Sequence, residues 1–178
     1  MGLPIQKKAS IRTERLELKP YSEGDVERLS ELLMNAEIAK TFMLPDFENR
    51  ERSAALAEKI IGFSRIGDTA HLEYGIYLDG CLIGFVNDCG VEGDEIEIGY
   101  VVHPDFHGKG YATEAVGAVL QELRGMGFRR VIAGYFVENT ASRRVMEKCG
   151  MRPNSMTEEI EYRGAVHRCG YCEISFEA

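Results

Sequence analysis

The sequence lacks any long hydrophobic run. No apolar segment approaches the roughly 20 residues that a membrane-spanning helix requires. Lysines in residues 1–10 are not followed by an apolar stretch, so this segment does not resemble a signal peptide. We therefore expect no membrane partner.

An excess of basic residues is also absent, since the formal net charge is −8 at pH 7. Nucleic-acid phosphates require a basic surface, so direct nucleic-acid binding is disfavoured. An acidic surface is compatible with a cationic substrate such as an amine. It is equally compatible with a charge that only keeps the protein soluble.

Cysteine is sparse, and its pattern is not that of a disulfide framework. The five residues are scattered: Cys81, Cys89, Cys149, Cys169 and Cys172. An odd, scattered set is typical of reduced thiols in the cytoplasm. Cys169 and Cys172 are the one close pair, but no second pair at zinc spacing exists, and on a strand these two would face opposite sides. We therefore predict no metal site.

No repeat, linker or break in composition divides the chain, and 44% of its residues are hydrophobic against 28% charged. Hydrophobic periodicity predicts a strand, two helices, three antiparallel strands, a helix, a strand, a helix and a closing hairpin. This order predicts one α/β domain with a mixed sheet, over residues 11–178 after an extension of residues 1–10. The predicted strands are 15–19, 72–78, 82–87, 95–102 and 130–137, with a hairpin in 158–176; the helices cover 22–33, 49–65, 111–125 and 139–148.

The most informative segment runs from Val101 to Ala115 and is typical of a strand, a glycine-rich turn and a helix start. Gly108 and Gly110 allow the backbone to turn tightly, so that amide N–H groups of residues 107–113 can converge. The helix that follows adds its unpaired N–H groups and the positive end of its dipole. The segment predicts a diphosphate-binding site built mostly from backbone. Lys109 would add charge there, or is an ordinary exposed lysine.

Three other phosphate-binding loops do not fit this segment. A Walker loop requires Ser or Thr after Gly-Lys, where the chain has Gly110. A dinucleotide-binding loop requires a third glycine at Thr113 and an acidic residue about 20 positions later, which is missing. A kinase glycine loop requires a following strand, whereas helix is predicted.

The motif from His107 to Ala112 instead resembles the acetyl-CoA motif of the GNAT superfamily of N-acetyltransferases, with histidine in place of the usual Gln or Arg. A second block, Asn139 to Met151, resembles the family's asparagine-containing helix, with Met151 in place of an aromatic residue. The resemblance implies a mostly antiparallel sheet with helices on both faces, and acetyl-CoA as co-substrate without a metal. The implied acetyl-CoA contacts are Val101, Val102, His107, Gly108, Lys109, Gly110, Tyr111, Ala112, Thr113, Asn139 and Ser142.

Within the superfamily, the chain resembles the branch that acetylates the N-termini of ribosomal proteins, together with relatives acting on small amines. Many family members have a tyrosine acid seven residues after the asparagine, where this chain has Met146. The ribosomal branch has a serine three residues after it, which matches Ser142. Its proposed base lies in a Glu-Tyr-x-x-Gly hairpin, which Glu161 to Gly164 resembles with the glycine one residue sooner.

Acetyl transfer to an amine requires a base that removes a proton from the nucleophile. The candidates are Glu95, Glu97 and Glu161, and the resemblance favours the last two; each could equally be a solvated strand residue. Ser142 could protonate the leaving thiolate or only bond the backbone near the helix start, and Asn139 could cap that helix. A backbone N–H near Val102 would stabilise the oxyanion if its strand separates from the neighbouring one.

These residues predict an acetyl-CoA-dependent N-acetyltransferase acting on a primary amine of a small molecule or a protein N-terminus. The alternative is an acyl-CoA-binding sensor module without turnover. The acceptor itself is not encoded in a recognisable motif, although the resemblance implies that residues 38–69 and the closing hairpin shape its site. That hairpin could also pair across a homodimer.

Overall fold

The computed structural model describes residues 1–177, in which eight strands form one sheet with the order β1-β2-β3-β4-β5-β6-β8-β7. The strands are β1 (Ile11–Arg12), β2 (Leu16–Lys19), β3 (Glu73–Leu78), β4 (Cys81–Glu92), β5 (Glu95–Val102), β6 (Arg130–Phe136), β7 (Arg152–Tyr162) and β8 (Ala165–Ser175). The helices are α1 (Val26–Leu33), α2 (Ala36–Ala39), α3 (Arg50–Ser64), α4 (Tyr111–Gly125) and α5 (Thr140–Lys148). Only β5 and β6 pair in parallel; the other neighbours are antiparallel.

Helices cover both faces of the sheet, because alternate strand residues point to opposite sides. Tyr77 and Phe85 pack with Leu29 of α1 in the core beneath α1–α3. Ile98 and Val119 belong to the core on the other face, beneath α4 and α5. The predicted fold class, a mixed and mostly antiparallel sheet in one α/β domain, is confirmed.

The predicted order of elements is also confirmed. Two of the hairpins turn through a pair of residues with positive φ. Asp79 has φ of 49° and Arg163 has φ of 50°, and each is followed by a glycine with positive φ. Such pairs are typical of two-residue hairpin loops. The predicted hairpin in 158–176 is too short, since β7 begins at Arg152. Most residues of this edge strand are exposed, so its sequence lacks the alternation of apolar and polar residues from which a strand is predicted. The short elements β1 and α2 were not predicted.

Residues before β1 pack against the sheet. Ile5 is fully buried in the core under α4, and its N–H donates to the carbonyl of Thr69 at 2.8 Å. The Lys7 ammonium donates to the carbonyl of His71 at 2.7 Å. In residues 1–177, no helix combines the length and apolar character needed to cross a membrane.

The sheet opens between β5 and β6. Pairing of β5 with β6 covers only Glu95–Arg130, Ile96–Val131 and Glu97–Ile132, whereas β5 stays paired with β4 as far as Val102. The N–H of His103 donates to the carbonyl of Ile83 at 2.7 Å, so Val102 and Gly84 form a non-hydrogen-bonded pair. The N–H of Val102 therefore points away from β4, toward the gap left by β6.

Close packing of β4 on β5 gives a stability prediction at Gly84. A Cβ on this residue would lie 2.0 Å from the carbonyl oxygen of Val101, which forces the backbone to move. We expect Gly84→Ala to lower the free energy of unfolding by about 2 kcal/mol, measured by urea denaturation. The matched control is Gly62→Ala within α3, where a Cβ meets no atom within 4 Å, so a gain of about 0.5 kcal/mol is expected. Equal effects of the two substitutions would contradict the prediction.

Candidate active site

The gap between β5 and β6 opens into a cavity of about 840 Å³. The loop before α4 and the start of α5 line one end, and β7, β8 and the segment after α2 line the other. The two ends have different chemistry, because the first presents backbone N–H groups and cations and the second presents carboxylates and aromatic rings.

At the first end, Gly108 and Gly110 have φ of 74° and 82° and turn the chain into α4. The N–H groups of residues 108–113 donate to no acceptor within the described part of the chain. The N–H of His107, by contrast, donates to the carbonyl of Pro104 at 3.1 Å, so the predicted set of converging amides loses this member. The structure thus places a row of free donors at the N-terminus of a helix, which favours an anion.

Two of the predicted side chains near this loop have other contacts. His107 lines the cavity, and its Nε2 donates to the carbonyl oxygen of Val102 at 2.6 Å. Lys109 does not line the cavity, and its ammonium lies 5.7 Å from the centre of the Phe106 ring. Lys109 therefore lies outside the cavity, while its neighbours Gly108 and Gly110 line it.

At the start of α5, the amide oxygen of Asn139 accepts from the N–H of Ser142 at 3.2 Å, so Asn139 is the helix cap. The hydroxyl of Tyr100 donates to the carbonyl of Ser142 at 2.9 Å and lies 2.9 Å from its Oγ. Burial raises the pKa of Tyr100, which keeps its hydroxyl protonated. The sequence analysis missed Tyr100 because its position in a predicted strand gave no sign of a polar partner.

Two further cations were missed on α5. Arg144 and Lys148 lie one turn apart on this helix and line the cavity. Neither has a carboxylate within 4 Å in residues 1–177, whereas the neighbouring Arg143 pairs with Glu147 at 2.9 Å. The spacing of four residues between two basic side chains was the available signal. Their uncompensated charge favours an anionic ligand at this end.

At the second end, Glu97 is half-buried and lines the cavity. One of its carboxylate oxygens lies 3.6 Å from where a Cβ on Gly134 would be, beside β6. Burial raises the pKa of Glu97, and the charge of Glu158 raises it further. A carboxylate with a raised pKa is a stronger proton acceptor.

The other two candidate bases lie elsewhere. Glu95 pairs with Arg130 at 3.1 Å and does not line the cavity. Glu161 is exposed and, by strand alternation, points to the side of β7 opposite to Ile160 and Tyr162. The structure therefore brings Glu97, and neither of the other glutamates, to the cavity.

Gly99 of β5 lines the cavity, but side chains occupy the space beside it. A Cβ on Gly99 would lie 3.0 Å from Phe42, 3.1 Å from the amide oxygen of Asn87 and 3.3 Å from the sulfur of Cys89, so these side chains already fill the space. Opposite them, the hydroxyl of Tyr162 donates to the carbonyl of Ala39 at 2.8 Å. The segment after α2 and the β7–β8 hairpin thus enclose the second end together.

The cysteines form no disulfide within residues 1–177, and no cysteine there belongs to a group of three or more His, Cys, Asp or Glu side chains placed to bind a metal ion. Cys169 lines the cavity, whereas Cys172 is buried in the core on the other face. These two side chains face opposite sides, as predicted.

The sequence model of the acetyltransferase (GNAT) domain matches residues 15–152, which span both the glycine turn and α5. The chain belongs to the GNAT acetyltransferase family. The uncharacterized N-acetyltransferase YnaD of Bacillus subtilis (strain 168) is 32% identical over 146 residues, covering 80% of this chain and 82% of YnaD.

Solved structures of other acetyltransferases have the same fold. The GNAT-family acetyltransferase from Bacillus anthracis has a TM-score of 0.79 at 28% identity, covering 93% of this chain and 98% of that one. RimL, a ribosomal L7/L12 alpha-N-protein acetyltransferase solved in complex with coenzyme A, has a TM-score of 0.81 at 21% identity, covering 93% of this chain and 97% of RimL. Membership of the GNAT acetyltransferase family supports an enzyme over the sensor alternative.

Proposed function

We propose that this GNAT acetyltransferase moves an acetyl group from acetyl-CoA directly to a primary amine of a small molecule or a protein N-terminus. One observation carries the proposal: the free amides of Gly108 and of residues 110–113 and the half-buried carboxylate of Glu97 open onto the same cavity. Coenzyme A in the RimL complex supports the donor, and the negative charge of Glu158 acting on Glu97 supports a basic acceptor.

The donor side is suited to a diphosphate ester. The amides at the start of α4 supply hydrogen bonds and the positive end of a dipole. Arg144 and Lys148 add positive charge for further phosphate oxygens. The edge of β5 from Ile98 to Val102 borders the gap, so an extended pantetheine arm can bond to the backbone groups there that β6 leaves unpaired.

Glu97, Val102 and Ser142 have separate roles in the acetyl transfer itself. The amine nitrogen attacks the thioester carbonyl carbon, while Glu97 takes the proton from nitrogen directly or through a water. The N–H of Val102 stabilises the oxyanion. Collapse breaks the carbon–sulfur bond, and the thiolate takes a proton relayed from water through the hydroxyl of Ser142, which is hydrogen-bonded to Tyr100, so that Ser142 ends the step protonated. Glu97 returns the proton it took from nitrogen to solvent, which balances the one taken up by sulfur. Glu161 stays a base candidate from sequence alone.

Release of free thiol from acetyl-CoA tests the proposal. The acceptors are butylamine, 1,4-diaminobutane and a tripeptide with a free N-terminus, and the control is the same tripeptide with its N-terminus blocked. We expect acceptor-dependent thiol release and the matching acetamide by mass spectrometry. Tight binding of acetyl-CoA without thiol release for any amine would contradict the proposal and favour the sensor.

The effect of the Glu158 charge on the pKa of Glu97 predicts a shift in the pH profile of the reaction when Glu158 is replaced. Glu97 must be ionised to accept a proton, so the rate falls as pH falls through its raised pKa. Glu158→Gln removes a like charge, which lowers the pKa of Glu97 and moves the acidic limb of kcat/KM to lower pH. The control is Glu159→Gln, an exposed neighbour on β7 that should leave the limb in place. An unmoved limb in Glu158→Gln would contradict Glu97 as the base.

A further inference from the structure

A hydrogen-bonded cluster of Thr13, Arg15 and Glu114 contacts the glycine turn on the side away from the cavity. The segment between β1 and β2 packs against the first turn of α4, where one oxygen of Glu114 accepts from the hydroxyl of Thr13 at 2.6 Å and from the N–H of Arg15 at 2.8 Å. The other oxygen accepts from Nε of Arg15 at 2.8 Å. These bonds fix the guanidinium beside the turn.

The same guanidinium bonds directly to the turn. Nη1 of Arg15 donates to the carbonyl of Lys109 at 2.8 Å, and the guanidinium lies 4.6 Å from the centre of the Tyr111 ring. In a trans peptide, the carbonyl and the following N–H point in opposite directions. By holding the Lys109 carbonyl on the outer side, Arg15 directs the N–H of Gly110 to the opposite, inner side.

The charge of Arg15 also has a consequence for an anion. Glu114 lies in the first turn of α4, where its charge would repel a phosphate bound to the neighbouring amides. Arg15 pairs with this carboxylate and compensates it. Its Nη2 lies 3.3 Å from where a Cβ on Gly110 would be, so positive charge reaches the turn itself.

We propose that Arg15 is a positioning residue for diphosphate binding, which fixes the orientation of the Lys109–Gly110 peptide and neutralises Glu114. The proposal deepens the proposed function and rests on its donor site. It predicts an effect on donors that carry a diphosphate, and none on donors that lack one.

The test compares coenzyme A with a truncated donor. For Arg15→Ala, calorimetry should show a Kd for coenzyme A raised about 10-fold, and kcat for acetyl-CoA with butylamine should change little. S-acetylpantetheine has the thioester and the arm but no diphosphate, so its kcat/KM should stay within twofold of the wild-type value. Arg15→Lys keeps the positive charge but not the planar guanidinium, so its Kd for coenzyme A should lie between those of the wild type and Arg15→Ala.

Arg12→Ala is the matched control, since Arg12 is exposed, belongs to β1 and, within residues 1–177, forms an ion pair only with Glu17, at 3.6 Å. This variant should bind coenzyme A like the wild type. An unchanged Kd in Arg15→Ala, or an equal loss with S-acetylpantetheine, would overturn the proposal. If Arg15→Ala does not fold, Arg15→Lys decides by the same two measurements. If the wild type acetylates no amine, the proposed function fails, while the Kd for coenzyme A still decides on Arg15.

Discussion

Replacing Gly110 by glutamate should abolish coenzyme A binding. Gly110 has φ of 82°, a left-handed conformation that any other L-residue adopts at a cost of about 1–2 kcal/mol. A Cβ there would also approach Nη2 of Arg15 to 3.3 Å. The new carboxylate adds repulsion of the phosphates, so we expect the Kd to rise about 100-fold or more, measured by calorimetry.

The control for this substitution is Gly125→Glu at the other end of the same helix. Gly125 is exposed, its φ is negative, and a Cβ there meets no atom within 4 Å. This variant should bind coenzyme A with wild-type affinity. Retained affinity in Gly110→Glu, with the fold intact by circular dichroism, would show that the ligand binds elsewhere.

Glu97→Gln should slow turnover by about 100-fold or more and leave the Kd for coenzyme A unchanged. Glutamine keeps the shape of the side chain but cannot accept the proton, and general-base catalysis contributes about 10²–10⁴-fold. The expected measurement is a loss in kcat, with the acidic limb of the pH profile lost as well. A change in kcat of less than about threefold would exclude Glu97 as the base.

The other two candidate bases, Glu95 and Glu161, provide the controls for this result. Glu95→Gln, two residues earlier on β5, breaks only the pair with Arg130 outside the cavity and should keep full kcat. Glu161→Gln should also keep it, because this side chain is exposed outside the cavity. A large loss in Glu161→Gln alone would restore the base that the sequence motif indicates.

The fold could be predicted from the sequence wherever one face of an element is buried. The alternation in β5 and the apolar stripe of α4 follow from burial on a single side, and positive φ at Asp79 and Gly80 follows from the turn they form. The first half of β7 could not be predicted, because an exposed edge strand imposes no pattern on its residues.

The site was predicted where backbone geometry decides it and missed where contacts between distant segments decide it. Gly108 and Gly110 indicate the turn in the sequence, since few other residues adopt the positive φ that it requires. By contrast, the hydroxyl of Tyr100 contacts Ser142 because α5 packs over β5. The side chain of Glu161 points away from the cavity because of its position along β7. Neither outcome is visible in local sequence.

The hydroxyl of Tyr162 has a consequence for how specificity can change. It contacts the carbonyls of Ala39 and Phe42 and the N–H of Leu44, so one side chain sets the spacing between two walls that are far apart in the chain. The glycine turn lies at the other end of the cavity and shares none of these bonds. If the acceptor binds at this end as proposed, substitutions near Tyr162 should change which amine is acetylated without changing the affinity for acetyl-CoA.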